Sequence, residues 1–301
     1  MCSGILNAGT DREYTFVYDC GTESSQRYIE QEINEFVSNI SKTRIKENKK
    51  EIEFVVISHL HWDHFSGLGS LMRKVHVNKI YLPYLGQWKQ NADLIRLIVA
   101  CAILFNDDGF NETNFATYRQ IVDLYEHSGQ REDGTHVIFL LGERTEEDER
   151  NDGIVVDPLY FPYMKQIRTK DVNFWQFTLI NKRFGIKNLE HKVLRLNEAM
   201  SNMLKGKTIG QFLDEQFLNS GDNGIMQIRD IYRKVFNKKR DILNLTSTIM
   251  MHCPSESSDT LFIGENCGKR ECCRCFPSAD NWLKNASQLY LLVMPNSTIK
   301  C

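Results

Sequence analysis

The chain has 301 residues, of which 42% are hydrophobic and 25% charged, a composition typical of a globular protein with one large or two ordinary domains. The formal net charge of -2 gives no global basis for binding a polyanion. The longest apolar run, Leu97 to Phe105, is too short to cross a bilayer, and Met1 to Thr10 shows no signal peptide. We therefore expect a cytoplasmic protein that is not in a membrane.

The N-terminal part alternates predicted strands and helices. A strand over Tyr14 to Tyr18 ends at Asp19-Cys20-Gly21, and Ser24 or Ser25 then caps a helix with a regular apolar face. The charged run Lys42 to Lys50 is predicted to be a solvated connection. A buried strand, a helix and another strand follow, predicted over Phe54 to Ile57, Gly67 to Val75 and Val77 to Leu82.

Three of the eight histidines lie within six positions, directly after the predicted strand that ends at Ile57. His59 and His61 are two residues apart, so they point to the same side of an extended chain. Asp63 and His64 follow on the turn. Imidazole nitrogens with a carboxylate are the ligands that zinc prefers, and manganese and iron also accept them. A coincidental histidine cluster on a loop is the alternative, but the concentration at ligand spacing favours a metal site.

This His-x-His-x-Asp-His pattern after an apolar strand resembles the metallo-beta-lactamase superfamily. The resemblance implies an α/β fold, a four-layer αββα sandwich of two packed sheets between helices. It assigns His59 and His61 to one metal ion, and Asp63 and His64 to a second. It also implies that Asp19 steadies the ligands from behind, although an ordinary turn residue is an equal interpretation. In phosphodiesterase members the motif aspartate also positions the attacking water, so Asp63 is the candidate for that role.

Residues 91–240 are predicted to form a mostly helical insertion between an N-terminal half of the fold at 1–90 and a C-terminal half at 241–301. The predicted helices cover 91–106, 118–127, 189–204, 208–218 and 225–236, with strands at 137–141 and 174–180. Residues 162–240 hold 16 Lys or Arg and 7 Asp or Glu, a local net charge of +9. This basic segment is either an anion-attracting surface or a plain solvated face.

Strand-like sequence returns near the C-terminus, over 244–252, 260–265 and 289–297. The order resembles the lactamase-like domain of bacterial DNA-uptake channel proteins, in which an Asn-x-x-Ser strand, a Thr-Gly-Asp strand end and a Pro-His-His-Gly-Ser strand end recur. Glu265 stands where that family has the aspartate, and the resemblance makes it a bridging metal ligand. Pro295-Asn296-Ser297 lacks both histidines of the last pattern. Since amide and hydroxyl groups are poorer zinc ligands than imidazole, we expect unequal metal positions.

Other ligand-type residues are weaker candidates. His136 and His252 flank predicted strands, and either could add a ligand, although a structural or exposed role is the simpler interpretation. A cysteine cluster between Cys267 and Cys275 has the spacing C-x4-C-C-x-C. It fits either a structural zinc or a set of reduced thiols in a loop, and the second is favoured because the spacing lacks a distant second pair.

The sequence therefore predicts a hydrolase with one or two zinc ions that acts on phosphodiesters, in nucleic acid or a nucleotide. A second hypothesis is a lactamase-fold module of weak activity that binds nucleic acid or a partner protein. A third is a hydrolase of a small thioester or lactam. A fold does not choose among them, because one fold carries many chemistries.

Overall fold

The computed structural model describes most of the N-terminal half and parts of the rest. The described residues are 1–6, 13–42, 45–46, 48–85, 88–104, 112–127, 129–140, 160–161, 164–168, 175–181, 195, 198–218, 230–231, 248–254 and 298–300. Twelve strands and six helices are assigned within them, together with a helical stretch at 198–204.

The larger sheet has nine strands in this part of the chain. Seven lie in the order β12-β1-β2-β4-β5-β7-β6, while β3 pairs with β4 and β8 with β7. Their bounds are β1 Cys2–Leu6, β2 Tyr14–Tyr18, β3 Ile45–Lys46, β4 Lys49–Val56, β5 Val75–Pro83, β6 Gly129–Gln130, β7 His136–Leu140, β8 Tyr160–Phe161 and β12 Thr298–Lys300. The central strands β2, β4, β5 and β7 are parallel to one another, so their carboxyl ends open at one edge.

Helices cover one face of this sheet. They are α1 Gln26–Asn39, α2 Trp62–Phe65, α3 Leu68–Lys74, α4 Trp88–Leu104, α5 Glu112–Glu126 and α6 Ile209–Leu218. Helix α1 begins at Ser25, whose hydroxyl accepts a hydrogen bond from the Arg27 N–H. Its buried residues are Ile29, Ile33 and Phe36, spaced at three to four positions. They join one large apolar core with side chains of α3, α4, α5 and the sheet.

A second sheet of three strands, in the order β11-β10-β9, packs on the other face. Its strands are β9 Met164–Arg168, β10 Trp175–Asn181 and β11 Thr248–Pro254. Phe177 is fully buried, with its ring centroid 4.8 Å from that of Phe16 and 5.0 Å from that of Phe54. These rings form the core of a separate apolar cluster between the two sheets. The described residues thus show a helix layer, a large sheet and a smaller sheet.

The predicted α/β sandwich is confirmed. The helices predicted at 189–204 and 225–236 lie partly, and the strands predicted at 260–265 and 289–297 entirely, outside the described residues. Most of the other predicted elements are within a few residues of their observed bounds. Lys42 to Lys50 is an exception, because Ile45–Lys46 and the first residues of β4 form a short antiparallel pair. The segment 91–240 contributes α4, α5 and α6, and it also supplies β7 to the large sheet and β9 and β10 to the small one. The boundaries at 90 and 240 stay a prediction. None of the helices in the described ranges has the length and apolar composition of a membrane span.

Candidate metal centre

The predicted ligand loop lies at the carboxyl edge of the large sheet. Strands β2 and β4 are parallel neighbours, with Tyr18 opposite Val56. Both therefore leave the sheet at the same edge, where Asp19 follows one strand and Ser58 the other. Parallel pairing alone thus brings together two segments about 40 residues apart in the sequence.

Backbone hydrogen bonds join these two loops. The Asp19 N–H donates to the Val56 carbonyl at 2.8 Å, the Cys20 N–H donates to the His64 carbonyl at 2.7 Å, and the Gly67 N–H donates to the Cys20 carbonyl at 2.8 Å. Gly21 completes the contact, because a Cβ built on it would lie 2.5 Å from the Asp63 carbonyl carbon. Only a residue without a side chain permits this approach.

Buried aromatic residues anchor the ligand loop between its polar positions. Trp62 and Phe65 are on the short helix α2 and enter the core, with their rings edge to face at a centroid distance of 5.8 Å. Asp63 and His64, which lie between them, stay partly exposed. The alternation of apolar and ligand-type residues therefore fixes the loop without burying its carboxylate.

His59 and His61 form the first pair of candidate ligands. The Nε2 atom of His59 lies 2.8 Å from the Nδ1 atom of His61, so the two nitrogens converge as the sequence predicted for residues two apart. Two nitrogens on one tetrahedral zinc ion are about 3.3 Å apart at bond lengths of about 2.0 Å. A small ring rotation would bring this pair to that separation.

Asp63 and His64 form the second pair. The His64 Nε2 atom lies 3.2 Å from an Asp63 carboxylate oxygen, close to the spacing of two ligands on one ion. The opposite ring nitrogen, Nδ1, lies 2.7 Å from Asp19 Oδ2. Partial burial lowers the pKa of His64, but the hydrogen bond and charge of Asp19, with the charge of Asp63, outweigh it and raise the pKa. The two carboxylates therefore favour positive charge at this ring.

Asp19 orients the His64 ring by holding the ring nitrogen that does not face Asp63. Its backbone has φ of 55°, a left-handed conformation that is uncommon outside glycine and that costs energy. Its carboxylate accepts from the Ser58 N–H at 2.7 Å and from the Ser58 hydroxyl at 2.8 Å, besides contacting His64. A carboxylate that holds one ring nitrogen of a histidine directs the other toward a metal.

The donor chemistry and the pair spacings fit a metal centre, but the ligands form two pairs. Among the described residues, no group of three or more His, Cys, Asp or Glu side chains is arranged to hold one ion. Any further ligand must come from elsewhere in the chain or from solvent. Glu265, the predicted bridging ligand, lies outside the described residues, and so does the cluster from Cys267 to Cys275.

Two other predicted candidates lie on strands outside the loop. His136 begins β7, two strands away from β4, and its side chain is exposed. His252 lies in the middle of β11, opposite Phe177, rather than at a strand end.

Cys20, between Asp19 and Gly21, is fully buried, and burial raises the pKa of its thiol to about 12. It is a neutral core residue here.

Sequence reasoning missed three residues that support the loop. Ser58 contacts Asp19 and both neighbouring imidazoles through its hydroxyl. Thr248, the first residue of β11, donates its N–H to the Ser58 carbonyl at 2.8 Å, and the Tyr18 hydroxyl donates to the Thr248 carbonyl at 2.7 Å. Burial raises the pKa of Tyr18, with the charge of Asp19 adding to this, so the phenol stays a donor. The position of Ser58 directly before His59 was the only signal in the sequence.

The fold and the loop define an α/β sandwich domain with histidine and aspartate ligands at the carboxyl end of a central parallel strand. The family model of the metallo-beta-lactamase superfamily matches residues 6–128, which places a domain of that superfamily in this part of the chain. The match covers α1, the ligand loop and the strands β2 to β5, and it indicates a metal-dependent hydrolase. No curated protein and no solved structure matches the chain.

Proposed function

We propose that this protein is a metal-dependent hydrolase that acts on phosphodiesters, in nucleic acid or in a nucleotide. The observation that carries the proposal is the loop from His59 to His64, in which the nitrogens of His59 and His61 converge and a His64 nitrogen lies beside the Asp63 carboxylate. Zinc is the metal that this donor set favours, and manganese or iron is the alternative. A likeness to DNA-uptake channel proteins is part of the same proposal, from the C-terminal sequence pattern.

Each side chain has a defined role in this proposal. His59 and His61 would hold one ion, Asp63 and His64 would hold the second, and Glu265 would be a ligand to both. A metal bound by these residues would supply activation of a water molecule and neutralisation of the negative charge that develops on the substrate oxygen. Asp63 also accepts a hydrogen bond from the attacking water and aligns it, while Asp19 keeps the His64 ring in place.

The basic segment at 162–240 supports a phosphodiester as the substrate. Its net charge of +9 contrasts with the -2 of the whole chain, so the remaining residues are acidic on balance. Positive charge attracts phosphate groups through long-range electrostatics. A thioester or lactam needs no such segment, since it carries little charge at the reacting group.

The metal assignment is tested with the purified protein loaded with zinc or manganese. We expect His59→Ala combined with His61→Ala to abolish tight binding, since the first pair of ligands is then gone. The matched control is His127→Ala combined with His136→Ala, which removes two exposed histidines outside the loop. Elemental analysis after desalting measures the result. Equal metal content in the loop variant and the control would contradict the assignment.

The substrate class is tested by turnover of bis(p-nitrophenyl) phosphate, nitrocefin and a glutathione thioester under the same metal conditions. We expect hydrolysis of the phosphodiester alone, and its loss in Asp63→Asn. Hydrolysis of nitrocefin or the thioester would favour the small-substrate hypothesis.

The missing histidines at Pro295-Asn296-Ser297 favour a second candidate, a binding module of weak activity for nucleic acid or a partner protein. A metal-loaded protein that binds DNA but hydrolyses none of the three substrates would select it. The same departure predicts two unequal metal positions. A calorimetric zinc titration that shows two equal, tight sites would contradict that inequality.

A further inference from the structure

Ser58 lies at the junction of β4 and the ligand loop and is 2% exposed. Its hydroxyl oxygen is 2.8 Å from Asp19 Oδ2, 2.9 Å from His59 Nδ1 and 3.1 Å from His64 Nδ1. One small side chain thus touches a residue of each proposed ligand pair. Its backbone is held on both sides, since the N–H donates to Asp19 Oδ1 and the carbonyl accepts from the Thr248 N–H.

The available protons permit one consistent arrangement of these contacts. An ionised carboxylate only accepts hydrogen bonds, so the Ser58 hydroxyl and the His64 Nδ1 must each present a proton to Asp19 Oδ2. The serine has a single proton, which this contact uses. The contact between Ser58 and His59 then requires the proton on His59 Nδ1, with the serine oxygen as acceptor. Both rings therefore carry a proton on Nδ1.

This arrangement fixes where the other ring nitrogens point. His59 Nε2 faces His61, and His64 Nε2 faces Asp63. In each ring the atom directed at the neighbouring candidate ligand is the one that can coordinate a metal when it is unprotonated. The Asp19 carboxylate contacts the ring of His64, whereas the Ser58 hydroxyl contacts the rings of both His59 and His64.

We propose that Ser58 is a positioning residue of the ligand loop, whose hydroxyl fixes the proton of His59 on Nδ1 and, with Asp19, that of His64. It thereby couples the two ligand pairs, since each coordinating nitrogen is left facing the other member of its own pair. The proposal rests on the proposed metal site. Its test uses the metal-free protein first, so that its failure can be told from a failure of that site.

The first measurement is the position of the ring protons. Long-range nitrogen–proton spectra of the full-length, metal-free protein at about pH 9, well above the ordinary histidine pKa, distinguish Nδ1–H from Nε2–H rings. We expect the wild type to hold His59 in the Nδ1–H form. Ser58→Ala removes the acceptor, so a substantial Nε2–H population should appear, and Ser58→Thr, which keeps a hydroxyl, should restore the wild-type spectrum.

Ser66→Ala is the matched control. Ser66 is also buried in this loop, but its hydroxyl accepts from the Thr22 N–H at 3.0 Å. We expect its spectrum to match the wild type at His59. If Ser58→Ala does not fold, Ser58→Cys is used instead, because a thiol is a weak hydrogen-bonding group of nearly the same shape.

The second measurement is zinc affinity by calorimetry. We expect Ser58→Ala to bind zinc about 10–100-fold more weakly, as is typical when a residue that orients a ligand is removed. An unchanged Nδ1–H ring at His59, or an affinity within twofold of the Ser66→Ala control, would overturn the proposal. A wild-type protein that shows the expected ring protons but binds no zinc would contradict the metal site and leave the proton arrangement intact.

Discussion

Gly21 is the residue at which the Asp19 loop is closest to the ligand loop. A Cβ there would lie 2.5 Å from the Asp63 carbonyl carbon and 2.7 Å from the Phe65 backbone nitrogen. These are backbone atoms, which cannot swing aside. We expect Gly21→Ala to lower the free energy of unfolding by about 1–3 kcal/mol and to weaken metal binding, because the two loops must separate. Denaturant unfolding and a zinc titration measure the two effects.

Gly69→Ala is the matched control for that substitution. A Cβ at Gly69 also has a neighbour at 2.5 Å, but it is the side-chain oxygen of Gln120, which can rotate away. Gly69 lies inside α3, where alanine is favoured over glycine by about 0.5–1 kcal/mol. If Gly69→Ala lowered the free energy of unfolding as much as Gly21→Ala, the cost would depend on the contact distance alone and not on whether the neighbouring atom can move.

The sequence predicted the ligand-type residues but, of the residues that orient them, only Asp19. His59, His61 and Asp63 are recognisable because their types and spacing are local properties. Ser58 is different, since a lone serine has no distinguishing pattern and two of its partners, Asp19 and Thr248, are 39 and 190 residues away. Asp19 was predicted only through the family resemblance. Its contact with His64 depends on the parallel pairing of β2 and β4.

At the scale of elements, an ion pair joins α1 to α3. Lys74 Nζ lies 2.6 Å from Glu30 Oε2 and 2.8 Å from Asn34 Oδ1. Partial burial raises the pKa of Glu30, but the hydrogen bond and charge of Lys74 outweigh it and leave the pKa below its ordinary value. The pair therefore stabilises the fold fully above the ordinary glutamate pKa of about 4.3, and the effect is lost as the pH falls through the native value.

We expect Lys74→Met to lower the free energy of unfolding by about 0.2–1 kcal/mol at pH 7, the range for partly exposed pairs. The difference from wild type should shrink between pH 7 and about pH 3, as Glu30 takes up a proton and its charge interaction with Lys74 is lost. Urea unfolding at the two pH values measures it. Lys79→Met, at an exposed position of β5, is the control and should show no such trend. A difference for Lys74→Met that persists unchanged at low pH would contradict this account.

An aromatic cluster packs the second sheet against the first. Phe177 of β10 contacts Phe16 and Phe54 and also stacks on Tyr14 at 5.9 Å. We expect Phe177→Ala to lower the free energy of unfolding by about 3–5 kcal/mol, since the cavity would lie between two sheets that cannot collapse freely. Tyr28→Ala removes an aromatic ring that is 63% exposed and should have little effect. Similar losses in both variants would show that the sheets are not packed through Phe177.

Element boundaries show what periodicity can and cannot predict. The apolar face of α1 matched the observed burial, because helical spacing depends only on the local sequence. The segment from Lys42 to Lys50 is largely exposed where it is described, as its charges predicted, but the prediction of a plain connection missed the strand pairing within it. In the structure, Lys50 pairs with Ile45 in a short antiparallel pair and its amino group donates to the Val37 carbonyl at 2.7 Å, at the end of α1. The charged residue Lys50, near the start of β4, is thus stabilised by a carbonyl at the end of α1.

For the whole molecule, the distribution of charge is more informative than its sum. The net charge of -2 combines the basic segment at 162–240 with acidic residues elsewhere. Most of that segment lies outside the described residues, so its role rests on composition. If it binds a polyanion, each phosphate contact releases counterions, and the logarithm of affinity falls with the logarithm of salt concentration by about 0.9 per contact on duplex DNA.

We expect the protein to bind short DNA at about 50 mM salt and to lose most of that affinity at about 200 mM, as multiple phosphate contacts require. Changing Lys238, Lys239 and Arg240 to Glu should weaken binding further and flatten the salt dependence, because fewer counterions are released. Fluorescence anisotropy measures both. The control variant changes Arg27, Lys42 and Lys79 to Glu, which alters the net charge equally at exposed positions outside the segment. Equal weakening in both variants, or binding insensitive to salt, would leave the basic segment as an ordinary solvated surface.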